Sequence, residues 1–387
     1  MTHLHISKDE LSSVTISSSR KIQREMPRPA ELRQPDYEEK FDFSTLFFDC
    51  FRVDDHYIEF LGPPLANFFS HFESGSITVL SDANDEKTLP LSSLKRRRGW
   101  CQDEVTLPAD NTDKSVKLSL GELGTYTVPI GENLKCVFEN RRVLLGMVKY
   151  DPISWIKEWA SFYAAYHATD ALLLYNNNSP HYSGAELLST LKALNLFKTI
   201  VIIDWEFPYG PQAGTNGLWD SVYCKTGAFQ HAFKRLLANA NSVINADIDE
   251  LIVHEQHVSL HELVESCPVG YMQFQGIWAS KPPIPGEKTL PEQRHHRHYR
   301  YHGQIDKNTI QCPPKWAVVP KTCPMDSQWR THDISNKTSA PALTEELRYR
   351  HFRDLNTGWK LSRNKPLLAY NEDKLLIAAY RKIGWLP

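Results

Sequence analysis

Beyond residue 140 the chain alternates between short apolar runs and stretches whose apolar residues recur every three or four positions. The runs at 143–148, 171–175, 199–203 and 243–246 predict buried strands. Between the first two, Ile156, Trp159, Ala160 and Tyr163 share one helical face, behind Asp151 as N-cap and Pro152 at the first helical position. A second helix is predicted around 185–194. A third, over 219–238, turns Val222, Phe229, Phe233, Leu236 and Leu237 inward. Strand and helix in alternation predict an α/β layer architecture. Farther on, Ser259 and Glu262 have the spacing of a capping box for a short helix. Residues 271–277 alternate as a half-buried strand, 316–319 give a last short strand, and the tail from 344 is helical in parts, closing on an apolar stretch at 375–380.

Upstream the pattern changes. Residues 39–140 hold short β-like runs at 57–60, 76–80 and 116–120, punctuated by Gly, Pro, Asn and Asp. They predict a small β-rich accessory domain. Residues 1–38 are rich in Ser, Pro and charge, lack periodicity, and are expected to be disordered. The expected division is 1–38 disordered, 39–140 β-rich, 141–362 α/β and 363–387 a helical tail. The polar stretch 280–313 reads as a loop over a site.

The fourth strand carries the most informative chemistry. It ends in Asp247-Ile248-Asp249-Glu250. Carboxylates at i and i+2 on an extended segment share one face, where their mutual repulsion calls for a cation. A hard divalent ion suits such oxygen ligands. The alternative is a polar strand end with Asp249 capping a helix. Ligands of an open α/β sheet bind beyond the carboxyl ends of the strands. Those ends here are Lys149-Tyr150-Asp151, Asn176-Asn177-Asn178-Ser179, Asp204 and Asp247-Ile248-Asp249. Asn176, Asn178 and Ser179 offer groups that read a base or ribose, or serve as ordinary turn residues. Lys149 faces either a phosphate or solvent.

Several classes are excluded. No Gly-x-x-x-x-Gly-Lys-Ser/Thr loop occurs and no Gly-x-Gly-x-x-Gly follows a strand, which removes P-loop kinases and nicotinamide dehydrogenases. No Gly-x-Ser-x-Gly elbow occurs, which removes α/β-hydrolases. A net charge of -2 gives no general attraction to nucleic acid. The seven cysteines form no Cys-x-x-Cys pair and fit a reducing cytoplasm. No segment is long and apolar enough to span a bilayer. Membrane contact is expected to be peripheral at most. A nucleotide bound without a phosphate loop, its diphosphate neutralised by metal on the aspartates, fits what remains.

These residues resemble a known group. Residues 143–151 with Trp155-Ile156-Lys157-Glu158-Trp159 resemble the first strand and helix of GT-A glycosyltransferases of the family 2-like and family 92-like groups. There a Lys-Asn-Glu turn leads into the helix, where this chain has Lys149-Tyr150-Asp151. The segment Leu174-Tyr175-Asn176-Asn177-Asn178-Ser179 resembles the Ile-Tyr-Asp-Asn-x-Ser turn, with Asn176 in the Asp position. Asp247-Ile248-Asp249-Glu250-Leu251-Ile252 resembles the Asp-Ile-Asp-Glu-Phe-Ile metal motif. Residues 315–320 with His332 resemble the Lys-x-Ile-Val-x-Pro…His segment, and Tyr349-Arg350-His351-Phe352 the late His-Tyr motif. The resemblance spans residues 141–362.

The resemblance implies a Rossmann-like, nucleotide-sugar-binding GT-A domain behind the β-rich one. It implies a metal-dependent glycosyltransferase that moves a sugar from a nucleotide-sugar, a UDP-sugar foremost, to a saccharide or glycoconjugate hydroxyl in surface polysaccharide synthesis. Asp247 and Asp249 would carry Mn²⁺ or Mg²⁺, with His332 a third ligand and His351 a weaker candidate. Lys149, Asp151, Asn176, Asn178, Ser179, Asp204 and Lys225 would face the nucleotide. Inversion in one displacement needs a carboxylate base, for which Asp333 is preferred over Asp326 and Glu345. Glu250 would support the ligands from behind. A metal-dependent nucleotidyl- or phosphotransferase and a catalytically silent carbohydrate-binding protein remain the alternatives.

Overall fold

The structure, a computed structural model, describes all residues of the chain except 84, 100, 214–216, 218, 283–289, 291–292, 304–311 and 356–366, and the side chain of residue 91. Much of the loop expected at 280–313, and the tail boundary expected at 362, lie outside the described residues. The chain divides into two units. The first is Met1–Ile6, Val137–Asp204 and Leu237–Pro387; the second is Ser7–Cys136 and Trp205–Leu236.

The sheet of the first unit includes β1 (Thr2–Ile6), β2 (Arg142–Val148), β3 (Ala171–Asn176), β4 (Thr199–Asp204), β5 (Ser242–Asn245), β6 (Glu250–His254), β7 (Tyr271–Ser280), β8 (Tyr301–Gly303), β9 (Cys312–Val318) and β10 (Leu347–Phe352). Their lateral order is β1-β4-β3-β2-β5-β9-β7-β8, with β10 on β7 and β6 on β10. The five strands β1 to β5 pair in parallel, and β9 is antiparallel to both β5 and β7. Residues 199–203 and 171–175 are buried throughout, as a parallel sheet covered on both faces requires. The unit is a mixed α/β layer with a large, mostly parallel, Rossmann-like sheet. Its strand order reverses between β2 and β5.

Helix α1 (Ile153–His167) buries the four predicted positions along with Trp155, Phe162 and Tyr166, and stops at Ala168, whose φ is 55°. Pro152 occupies the N-cap, and Asp151 does not cap. Its carboxylate instead accepts from the Lys149 amide at 2.8 Å. Helix α2 (Gly184–Lys192) begins with a Ser183–Glu186 capping box. Ser259 is the N-cap of α3 (Leu260–Ser266), but its hydroxyl donates to the His167 carbonyl at 2.6 Å, so the predicted box does not form. Helix α4 (Lys374–Lys382) holds the apolar tail. The residues from 347, expected to be partly helical, form β10 instead. Among the described residues no helix is long and apolar enough to cross a membrane.

The second unit contains two four-stranded antiparallel sheets, from 49–52, 57–62, 103–108 and 95–98, and from 125–129, 113–119, 76–81 and 86–89. This matches the β character read at 39–140, with one addition. Residues 205–236, expected in the α/β domain, belong here. Their helix Tyr223–His231 passes into a π-helical turn at Ala232–Leu237. A Cβ on Gly227 of that helix would collide with the Phe48 ring, and Trp205 lies 5.1 Å from Phe48.

The first 38 residues are ordered, contrary to the sequence reading. β1 pairs with β4 from Thr2↔Thr199 to Ile6↔Ile203. In the second unit, the buried Arg24 guanidinium donates to the carbonyls of Pro64 at 2.8 Å and Asp42 at 2.6 Å. Arg28 is likewise buried and pairs with Asp220 at 2.6 Å. Order here comes from buried guanidinium groups satisfying carbonyls and carboxylates, which hydropathy does not register.

Candidate functional site

Asp247, Ile248 and Asp249 leave the carboxyl end of β5 at the reversal of strand order, where open α/β sheets bind ligands. They are not on an extended segment. The chain turns, and the Glu250 amide donates to the Asp247 carbonyl at 3.0 Å. The shared face expected from strand alternation therefore does not arise. The turn is held by other means. The Asp247 amide donates to Glu250 Oε2 at 2.9 Å, the Ile248 carbonyl accepts from His296 Nε2 at 2.8 Å, and the Asp249 carbonyl accepts from the Phe352 amide at 2.8 Å.

Two side chains answer the carboxylate crowding. Lys315, on β9, places Nζ 2.9 Å from Asp247 Oδ2 and 2.9 Å from Glu250 Oε2, with its own side chain 1% exposed. His351, on β10, places Nε2 3.1 Å from Asp249 Oδ2 and Nδ1 4.0 Å from Glu250 Oε1. Pairing of β6 with β10 sets Glu250 opposite His351, and pairing of β10 with β7 sets His351 beside Trp278. The imidazole stacks on that indole at 4.6 Å with 23° between planes. Burial pushes the Glu250 carboxyl above its ordinary range; Lys315 opposes the rise, and the Asp247 and Asp249 charges add to it.

Asp249, Glu250 and His351 each offer a ligand atom within 4.8 Å of the others. Two carboxylates and an imidazole are a donor set suited to Mn²⁺-type ions, so these residues fit a divalent metal. Asp247 sits beside them in its pairing with Lys315.

The other strand ends lie on the same edge, since β2 to β5 are parallel. Lys149 Nζ donates to the Asn177 side-chain oxygen at 2.7 Å, across the ends of β2 and β3. Tyr150, between Lys149 and Asp151, takes a φ of 62°. Asn176 donates to Asp204 Oδ1 at 3.0 Å and accepts from the Ser179 amide at 3.2 Å. Asp204 Oδ2 lies 2.7 Å from His5 Nε2. Asn178 is exposed at a φ of 52°. The structure thus gathers Asn176, Ser179 and Asp204 into one polar chain, to which β1 adds His5.

Three expected residues have other surroundings. Lys225 belongs to the second unit, buried on the helix Tyr223–His231 with Nζ 5.6 Å from the Phe229 ring. Asp333 closes a hairpin between Gln328–Trp329 and Ile334–Ser335, its carboxylate 2.6 Å from Arg330 NH2. Asp333 is not a member of the converging donor group. His332 is exposed and its Nδ1 faces the Pro314 carbonyl at 3.0 Å. It is not in the converging donor group, whose imidazole is that of His351. Lys315 and Glu250 were visible only as members of motifs. Hydropathy gives no warning of a buried lysine, and nothing in local spacing shows that Glu250 and His351 face each other across two strands.

No protein-family model matches the chain, and no curated protein matches it. Among solved structures, the chain is similar to a nucleoside-diphosphate-sugar pyrophosphorylase from Vibrio cholerae RC9, with 8% identity over 54% of this chain and 91% of that one, at a TM-score of 0.26. It is also similar to the flavohem-like FAD/NAD binding domain of nitric oxide dioxygenase from Vibrio cholerae O1 biovar El Tor, with 11% identity over 40% of this chain and 70% of that one, at a TM-score of 0.12. Both scores are too low to identify a shared fold or a shared chemistry.

Proposed function

We propose that the first unit is a GT-A-type glycosyltransferase domain that uses Mn²⁺ or Mg²⁺. It transfers a sugar from a nucleotide-sugar, a UDP-sugar foremost, to a hydroxyl of a saccharide or glycoconjugate, with inversion. One observation carries the reading. The converging group Asp249, Glu250 and His351 stands at the switch point of a Rossmann-like sheet, in a chain without a phosphate loop. A divalent ion held there would supply Lewis-acid stabilisation of the departing nucleoside diphosphate.

The chain's own groups have distinct roles. Lys315 neutralises Asp247 and Glu250, so the cluster does not expel its own charge. Trp278 and Asp249 fix the His351 ring from its face and its edge. The chain Asn176–Asp204–His5 lines the same sheet edge with donors and acceptors of the kind that read a base or a ribose. The seven free cysteines fit action in a reducing cytoplasm.

Thermal-shift measurements with UDP, GDP, CDP and their sugars, with and without Mn²⁺, test the reading. Stabilisation by a metal–nucleotide pair, lost in Asp249→Ala, is expected. Absence of stabilisation by every pair overturns it. A free nucleoside diphosphate as product supports glycosyl transfer, whereas a nucleotidyl adduct makes the domain a nucleotidyltransferase.

A further inference from the structure

The motif Arg294-His295-His296-Arg297-His298 is not used by the chemistry above, yet it reaches the acidic turn from behind. His296 is completely buried, and its Nε2 lies 2.8 Å from the Ile248 carbonyl. A carbonyl oxygen only accepts, so Nε2 carries the proton and donates. The opposite edge of the ring faces Glu158 of α1, with Nδ1 3.3 Å from Oε2. The same carboxylate oxygen accepts from the His296 amide at 2.9 Å, and Oε1 lies 2.9 Å from His295 Nδ1. The His296 ring meets Phe352 edge-on, with centroids 5.2 Å apart. The His296 carbonyl accepts from Tyr380 of α4 at 2.8 Å. The imidazole is therefore gripped on its far edge, its face and its own backbone.

Ile248 is the residue between Asp247 and Asp249. Its carbonyl is held by the His296 side chain, and the Glu250 carbonyl accepts from the Tyr163 hydroxyl at 3.2 Å. The Asp247 and Asp249 carbonyls are bonded by the backbone amides of Glu250 and Phe352. The Ile248 carbonyl belongs to the peptide joining Ile248 to Asp249, so turning it changes the φ of Asp249 and re-aims that side chain.

We propose that Glu158 and His296 are a positioning pair for the acidic turn. Glu158 orients the imidazole, and the imidazole fixes the Ile248 peptide, so that Asp249 stays converged with Glu250 and His351. Neither residue touches the ion. Their effect is on how well the ligands are arranged before the ion arrives. Metal sites depend on such supporting hydrogen bonds, whose removal typically costs ~10–100-fold in affinity. The metal part of this inference rests on the functional reading above; the positioning of the turn does not.

Two variants of nearly equal polarity separate the roles. A glutamine places its amide nitrogen where Nε2 stands, whereas an asparagine places its own near Nδ1 and leaves the Ile248 carbonyl without its donor. Mn²⁺ binding to the full chain is measured by electron paramagnetic resonance. His296→Asn is expected to bind about tenfold more weakly than the parent, with His296→Gln close to it and Glu158→Gln between them. Equal affinity in His296→Asn and His296→Gln overturns the proposal. If the parent binds no Mn²⁺, the metal reading fails alone, and hydrogen exchange decides the positioning. The Asp247 and Glu250 amides should exchange faster in His296→Asn than in His296→Gln. Equal exchange rejects it. Matching melting temperatures of the two variants separate this effect from a general loss of fold.

Discussion

Lys315 Nζ lies 2.9 Å from Asp247 Oδ2, and the lysine side chain is almost wholly buried. The cation that the acidic motif calls for is thus partly built into the protein, supplied by a strand about 70 residues downstream. Replacing Lys315 by Met leaves Glu250 and Asp247 facing one another without it. Removal of one partner from a buried pair costs about 3–5 kcal/mol. Guanidinium denaturation of Lys315→Met should show a loss of that order, and adding Glu250→Gln should restore part of it. A loss within error of zero would mean that the ammonium group does not compensate these carboxylates.

His351 and His332 make opposite predictions. His351 converges with Asp249 and Glu250, while His332 faces the Pro314 carbonyl. Calorimetric titration with Mn²⁺ should show His351→Ala binding at least about tenfold more weakly, since even supporting residues of metal sites have effects of that size. His332→Ala should bind as the parent does. The reverse order would assign the third-ligand role to His332.

Gly184 is constrained by what lies above it. A Cβ there would run into Asp204 Oδ1 and the His5 imidazole. Gly184→Ala should cost about 1–3 kcal/mol, as overpacking does. The strain falls on the contact between β1 and β4, so amide exchange across residues 2–6 should accelerate in the variant. Unchanged exchange there would show that His5 and Asp204 yield without releasing β1.

In the second unit, Lys234 Nζ lies 3.3 Å from Glu59 and 3.1 Å from Glu104, one cation between two buried acids. Burial pushes the Glu59 carboxyl from 4.5 up to about 7, Lys234 opposes the rise, and Glu104 adds to it. A carboxyl raised in the folded state favours folding below its unfolded value, and that contribution is lost as pH climbs through about 7. Calorimetry at pH 5 and pH 8 should show the parent losing more stability on the alkaline side than Glu59→Gln does. Parallel pH profiles for the two proteins would exclude this role for Glu59.

Much of the first unit was legible because its strands are continuous apolar runs and α1 repeats its apolar residues at helical spacing. The runs ending at Val148, Asn176 and Asp204 became β2, β3 and β4, and the acidic motif fell at the end of the fourth predicted strand. Legibility failed where order rests on polar contacts. Arg24 and Arg28 sit in a segment whose composition signals disorder, and their guanidinium groups are buried against carbonyls and a carboxylate. Spacing likewise does not reveal that Asp333, next to His332, pairs with Arg330 where a hairpin closes.

By itself the sequence determined the α/β class, the β character read at residues 39–140 and the position of the acidic motif at a strand end. Each follows from local pattern, which a chain carries in the spacing of its apolar residues. Only the tertiary structure decided which side chains meet at that motif. Asp247-Ile248-Asp249 turns instead of extending, Lys315 and His351 reach it from β9 and β10, and residues 205–236 join the β-rich unit. The physical reason is that a site is made by strand order and register, which bring together residues distant in sequence, and local periodicity encodes neither.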